Sequence, residues 1–396
     1  MKITNRNLII LGGDGYLGWS LGLAFANRTD LNVILVDSLV KRQWEKEVNA
    51  ELLIPLKNPT TRIREYQRIY GRSNLSFKKL NLLDYDAVFS LIKEYKPVGI
   101  INTAQQPSAP FSMISPRHAA ITFSNNIVGN LNVIWAIAEI DKTIKYIKLG
   151  SAGCYLGIDA DFVPLKKVNL SFQYKQKSHK VLQTWLPMQA TDFYHQSKID
   201  DFLINDLCSH LWDLQIITVQ QSTIFGATVQ ENEHVGNHGL STRFNYDQIF
   251  GTVLNRFVCQ IAIGHPVTVY GDGTQKTGMI SLTDTVDNFL KLFSRNLKRG
   301  SHIVEHNYTN KLSINEIAEI LMAECGYSKI SHIKNPRIEA DSRLENFFEL
   351  DSSIFRSTKE KDRKFAQELK NLLGFAKLYK INIKKSIILP TVHWGK

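Results

Sequence analysis

The chain has 396 residues, 43% of them hydrophobic, which is ample for a large core and for more than one compact unit. Its formal charge of +11 favours anionic partners, but Lys and Arg are scattered, and the densest basic stretch, residues 356–385, is interrupted by Glu360, Asp362 and Glu368 and reads as solvated helix faces. Four widely spaced cysteines without a CxxC pair argue against a zinc site or a disulfide framework; no apolar run can span a bilayer and no signal peptide precedes the first strand, so a cytoplasmic protein without a metal is expected.

Residues 8–11 form a short apolar run and read as a buried strand, followed by the turn Gly12-Gly13-Asp14-Gly15-Tyr16-Leu17-Gly18 and a helix over 19–26. Further strands are expected at 33–36, 75–80, 98–102, 146–149 and 214–219, with helices at 84–95, 126–140 and 193–211 between them. Strands alternating with helices imply an α/β fold, a doubly wound parallel sheet of Rossmann type. After residue 220 the rhythm changes. Residues 222–239 are polar and glycine-bearing and read as a loop over the site; 246–264 read as a helix, 267–270 as a strand and 312–325 as a helix. The expected division is a dinucleotide-binding domain over 1–220, joined by returning segments near 245–263 and 281–308, and a smaller mixed α/β substrate domain over 221–396.

Gly12, Gly15 and Gly18 stand three apart between a strand and a helix. That spacing serves a tight turn, close approach of backbone to a pyrophosphate, and close helix–strand packing, while the helix N-terminus offers free N–H groups to the phosphates. Asp37 ends the next strand, where a carboxylate can accept the adenosine ribose hydroxyls. This favours NAD over NADP, although Lys41 and Arg42 stand nearby.

Tyr194-His195-Gln196-Ser197-Lys198 puts Tyr and Lys four apart on one helix face. Lys198 as a cation would lower the phenol pKa, so that Tyr194 can take a proton from a substrate alcohol as hydride leaves. Ser151, in Leu149-Gly150-Ser151-Ala152-Gly153-Cys154-Tyr155 at a strand end, fits as the hydroxyl that binds the same oxygen. A Tyr four before a Lys is common; its force comes from the order glycine loop, strand-end Ser, then Tyr/Lys.

At these residues the chain resembles the extended short-chain dehydrogenases of the NAD-dependent epimerase/dehydratase family, and within it the branch of the UDP-sulfoquinovose synthases. The resemblance runs from Ile9 to Arg343 and is carried by the glycine loop with Trp19, Asp37-Ser38-Leu39-Val40-Lys41-Arg42, Ser108-Ala109-Pro110-Phe111-Ser112-Met113, Asn125-Asn126 with Gly129, and Phe193-Tyr194-His195. It continues in Tyr246-Asp247, Phe250-Gly251-Thr252, Leu254-Asn255-Arg256-Phe257, Gly264-His265-Pro266 and Asn335-Pro336-Arg337 with Glu339. The resemblance implies oxidation of a nucleotide-sugar hydroxyl to a transient ketone, then epimerisation, elimination or addition, or re-reduction, with NAD recycled. It implies a homodimer through helices of the NAD domain. It implies cofactor contacts at Gly12, Asp14, Gly15, Tyr16, Leu17, Gly18, Asp37, Ser38, Arg42, Asn81, Leu82, Thr103, Ala104 and Asn126, besides Tyr194 and Lys198, and substrate contacts at Gln105, Gln106, Ser151, Cys154, Gln221, Arg256, Thr268 and Arg337.

The chain also departs from that pattern. Pro107 stands where an Arg is expected near the sugar, Cys154 where an acidic residue is expected, Ala152 and Gly153 where dehydratases carry an Asp-Glu pair, and Thr277 where an Arg contacts the diphosphate. His195 reads equally as a second acid/base or as a structural residue. Cys154 reads as a buried small side chain rather than a reactive thiol, and Asn126 as a structural, helix-bending residue. Three functions remain open: a sulfoquinovose-synthase-like nucleotide-sugar enzyme, an NAD-dependent oxidoreductase of a non-nucleotide intermediate, and a non-catalytic NAD- or RNA-binding relative. The last is disfavoured by the complete Ser151/Tyr194/Lys198 set, and no nucleic acid is expected.

Overall fold

The computed structural model describes residues 6–155, 166–169, 171–180, 184–186, 188–233, 238–337 and 359–393. Seven parallel strands form the main sheet: β1 (Asn7–Leu11), β2 (Asn32–Asp37), β3 (Leu75–Lys79), β4 (Gly99–Asn102), β5 (Lys145–Leu149), β6 (Gln215–Gln221) and β7 (Ser301–Asn307). Their order is β7-β6-β5-β4-β1-β2-β3, so the winding reverses between β1 and β4. That reversal opens a crevice at the carboxyl ends of the strands, where ligands of such sheets bind.

The inner strands β1, β2 and β4 are apolar on both sides because helices cover both faces. Leu8 and Ile10 of β1 point into one core with Leu21 and Phe25 of α1 (Tyr16–Arg28); Ile9 and Leu11 point into another with Val133 and Ile137 of α6 (Gly129–Ile140). The other helices on this part are α2 (Val40–Glu47), α3 (Pro59–Tyr70), α4 (Tyr85–Tyr95), α5 (Pro116–Phe123) and the 20-residue α7 (Phe193–Trp212). A five-residue π-turn, Ser124–Val128, separates α5 from α6, so the helix expected over 126–140 starts later and after a bulge.

The second core gathers α8 (Val253–Ala262), α10 (Ile314–Cys325) and α11 (Lys359–Leu378) around Phe257, Val267, Met279, Leu321 and Leu369, while α9 (Leu282–Ser294) packs its Leu282, Val286 and Phe289 on the main core. Segment 281–308 thus returns to the large sheet through α9 and β7, whereas α8 belongs to the second core. The helix expected over 246–264 is half that length. Asp247 accepts N–H bonds from Ile249 and Phe250, closing a turn that competes with the helix. Gly251 packs so tightly that a Cβ would lie 2.4 Å from the Asp247 carbonyl oxygen, and the helix starts only after Thr252 caps it at Asn255 N–H. The polar stretch 222–239 contains a short strand, Thr223–Phe225, paired to Lys276–Ser281; residues 234–237 of it lie outside the described residues.

Candidate active site

The glycine loop is built for close backbone approach. A Cβ on Gly18 would sit 2.1 Å from Gly12 O, and one on Gly12, whose φ is +84°, 2.7 Å from Ala104 N. These glycines let α1 start flush against β1 and β4, with its first N–H groups facing the crevice. Beside them lies a cavity lined by Gly12, Asp14, Gly15, Asp37, Ser38, Lys41, Asn81, Leu82, Thr103, Ala104 and Gln105. Asp37 stays at its rim because Leu39 N–H and Asp14 N–H each bind one of its carboxylate oxygens, at 2.7 and 3.0 Å. Burial raises its carboxyl above the ordinary value, and Asp14 adds to this. Glycines where phosphates must approach, and a carboxylate where a ribose would end, fit a dinucleotide.

Asp14, also on this cavity's wall, has its carboxylate held by arginines: Arg42 (2.8 Å), Arg62 (3.1 Å) and Arg243 (2.6 Å), and Arg243 also pairs with Glu45. Desolvation acts on Asp14 first, yet the arginines hold its pKa below the ordinary value. Arg42 is thereby committed to Asp14, lies off the cavity walls, and is not offered to a ribose 2′-phosphate, which fits the preference for NAD over NADP. Arg62 Cζ also lies over the Trp19 ring, 3.6 Å from its centroid. Nothing in the sequence marked Arg62 or Arg243, because their partners are 48 and 229 residues away.

A larger cavity of about 490 Å³ adjoins the first; Tyr16, Leu17, Gly18, Gln105, Ser151, Tyr194, His195, Gln221, Arg256, Thr268 and Arg337 all line it. Its charged walls are Lys41, Arg243, Arg256, Lys276 and Arg337, with no aspartate or glutamate among the described lining residues. Lys41 bonds Asn245 Oδ1 at 3.2 Å, and burial pulls its ammonium down to about 8. Arg256 bonds Tyr270 OH at 2.5 Å and stacks on its ring. Thr268 Oγ is occupied by Gln260, and Gln221 is tied to Asn307. Pro107 and Thr277 also face this cavity. Glu339 lies outside the described residues.

Tyr194 and Ser151 meet at the inner wall. Burial raises the Tyr194 phenol above its ordinary value, and a hydrogen bond from Ser151 opposes this. Ser151 is fixed by its N–H to Gln220 Oε1 at 2.9 Å. Lys198 is buried one turn from Tyr194; its Nζ donates to Leu149 O at 3.1 Å and lies 5.7 Å from the Tyr194 ring centroid. Burial pulls its pKa down to about 7, and Lys148 adds to the effect. Asn126, in the π-turn, lies behind this group and away from both cavities: it donates to Ser197 Oγ at 2.9 Å and accepts from Gln106 N–H at 2.7 Å. Ser197 in turn binds Tyr194 O, so the bulge braces the start of α7. Gln106 is likewise fully buried, bonded to Ser108 and Thr122, and off the cavity walls. Cys154 is fully buried, and burial pushes its thiol up to about 12, so it offers no thiolate.

His195 has a partner the sequence reading missed. Asp192 caps α7 through His195 N–H (2.9 Å) and holds His195 Nδ1 with its other oxygen (2.7 Å). The signal was legible as an acidic residue at the N-cap three before the His. With Nδ1 held by Asp192, Nε2 is the ring nitrogen turned to the cavity, lying over Gly153.

A model of the NAD dependent epimerase/dehydratase family matches residues 8–304. The chain is 31% identical to a UDP-sulfoquinovose synthase of Sulfolobus acidocaldarius over 98% of both chains. It is 29% identical to the chloroplastic UDP-sulfoquinovose synthase of Spinacia oleracea over 99% of this chain and 80% of that one. Among solved structures, the UDP-glucuronic acid 4-epimerase of Bacillus cereus in complex with UDP-glucuronic acid and NAD superposes with a TM-score of 0.64 at 15% identity, covering 94% of this chain and 99% of the other.

Proposed function

Because the chain belongs to the NAD dependent epimerase/dehydratase family, we propose that it oxidises a hydroxyl of a nucleotide-activated sugar to a transient ketone. NAD, the family's cofactor, supplies the hydride acceptor. The observation that carries the substrate class is the 490 Å³ cavity with cationic walls and no described carboxylate, opening onto Ser151 and Tyr194. A diphosphate-linked sugar supplies the negative charge such walls accept. The two relatives named UDP-sulfoquinovose synthase support the same class.

In this reading Tyr194 takes the hydroxyl proton as the carbon-bound hydride departs. Ser151 donates to the phenolic oxygen and steadies the phenolate, and Lys198 supplies positive charge beneath it. The new carbonyl acidifies the adjacent C–H. His195, oriented by Asp192, has a free Nε2 to remove that proton, which replaces the acidic pair absent at Ala152 and Gly153. Epimerisation, elimination or addition can follow, and re-reduction closes the cycle.

Incubating the pure protein with UDP-glucose, with and without sulfite, and analysing products by mass spectrometry tests this. A sulfonated sugar only with sulfite establishes the synthase reaction, an isomer alone an epimerase, and unchanged UDP-glucose in both removes the synthase reading. Thr277, facing the cavity without a charge, favours a second reading in which the substrate lacks a nucleotide. Thermal shifts against a panel of nucleotide sugars decide, since stabilisation at micromolar levels rules it out.

The assembly we propose is a homodimer. Val128 and Trp135 around α6, with Leu203, Leu207 and Leu211 of α7, are 43–61% exposed, and the three leucines recur every four residues on one face. Such a contiguous apolar stripe calls for a covering surface.

A further inference from the structure

Directly beneath the Tyr194–Lys198 pair lies an ion pair that the chemistry above does not use. Lys148 comes from β5, one residue before the Leu149 carbonyl that Lys198 binds. Asp201 comes from α7, three residues after Lys198. Lys148 Nζ and Asp201 Oδ2 are 3.1 Å apart, with both side chains at most 2% exposed. The pair is poorly completed, since Asp201 Oδ1 is buried and accepts no hydrogen bond among the described residues. Buried pairs of this kind cost desolvation that their attraction often fails to return, and apolar residues commonly replace them without loss. Its place within one turn and one strand residue of Lys198 gives it a use.

We infer that Lys148 and Asp201 are positioning residues: Asp201 neutralises Lys148, so that Lys198 carries the net positive charge of the cluster and holds its ammonium form to higher pH than it would beside an unpaired Lys148. This rests on the reading of Tyr194 and Lys198 as the catalytic pair. Two cations share one carboxylate, and Asp201 pairs with Lys148 at 3.1 Å, so the charge left over is that of Lys198, whose Nζ lies 5.7 Å from the Tyr194 ring centroid. The other titratable groups around the Lys148, Lys198 and Asp201 cluster and the Tyr194 phenol are Asp192 before the start of α7, Cys154 on the turn after β5, and Tyr146 on β5. Burial raises Cys154 and Tyr146, so they are uncharged around neutral pH; it also raises Tyr194, against which the Ser151 hydrogen bond and the Lys198 charge favour the phenolate. Asp192 is spent on His195. Burial also raises Asp201, while Lys148 and Lys198 hold it down.

Opposite shifts test this. In NAD-bound protein labelled with ¹³C-lysine, the Lys198 Cε resonance is assigned by its loss in Lys198→Arg and titrated. Asp201→Asn leaves two like charges together and is expected to lower the Lys198 midpoint; Lys148→Met removes the repulsion and is expected to raise it, each by about one pH unit or more. The double variant returns near the wild-type midpoint. Shifts of both single variants in the same direction, or none, overturn the inference, because a packing role has no sign. If Asp201→Asn does not fold, Lys148→Met alone and combined with Asp201→Asn still decides: the midpoint must rise and then come back. The titration needs no substrate. Turnover whose alkaline limb ignores the shifted midpoint would instead count against the Tyr194–Lys198 chemistry.

Discussion

Gly153→Ala probes His195 without altering it. An ideal Cβ on Gly153 would lie 2.1 Å from both Nε2 and Cδ2 of His195. Ordinary carbon contacts need about 3.5–4 Å, so the ring must retreat by roughly 1.5 Å. The ring is tethered, however, by the 2.7 Å bond to Asp192. Such a retreat breaks a charge-assisted hydrogen bond, a net loss of about 1.5–3 kcal/mol, and withdraws Nε2 from the cavity. If His195 is the second acid/base, product formation falls by about 10²- to 10⁴-fold. Tyr194 touches the His195 ring and Ser151 accepts from Gly153 N–H, but neither side chain nor Lys198 is replaced, so hydride transfer is expected to fall far less than product formation, visible as reduced cofactor absorbing at 340 nm. The assay is product analysis by mass spectrometry beside single-turnover absorbance. Product formation within threefold of wild type would refute the assignment of His195, as would equal losses in both readouts.

Tyr194→Phe is expected to abolish cofactor reduction by at least about 10³-fold while leaving NAD binding intact by calorimetry. Lys198 gives a stability signature. Its folded pKa, about 7, lies below the ordinary 10.5, so burying its charge costs stability in full below pH 7 and progressively less up to 10.5. Lys198→Met should therefore raise the melting temperature relative to wild type at pH 6, and the gain should shrink towards pH 10. Arg243→Met leaves Asp14 with two of its three arginines and Glu45 without its cation, and is expected to cost about 1–3 kcal/mol in denaturant unfolding, with weaker NAD retention after gel filtration. Leu207→Glu, on the exposed stripe of α7, should shift sedimentation towards the monomer without altering the circular dichroism spectrum.

Much of the fold was legible because the alternation of buried strand and amphipathic helix is a local signal. The glycine loop, Asp37 and the Ser151, Tyr194 and Lys198 set were legible for the same reason: turn and helix spacing reveals them. What was not legible depends on pairing across the chain. β7, Ser-His-Ile-Val-Glu-His-Asn, is largely polar without alternation and shows no sheet signal until β6 pairs with it. The helix expected over 246–264 failed on local chemistry, the Asp247 turn and the crowded Gly251, which outweighed its apolar content. The resemblance implied a cofactor contact at Arg42; its pairing with Asp14, 28 residues away, was not legible. The Lys148–Asp201 pair joins a strand to a helix, and each residue alone looks like an ordinary surface charge.

The capture of Asp14 by Arg243 also bears on how the protein comes into being. The two residues are 229 positions apart. At about 5–20 residues per second on the ribosome, Asp14 exists for roughly 10–45 seconds before Arg243 is made. During that interval the glycine loop can form against Arg42 and Arg62 alone, with its third cation missing. The cofactor cleft is therefore finished late in synthesis, and the nascent chain should gain protection against proteases at the loop only once the segment bearing Arg243 has left the exit tunnel.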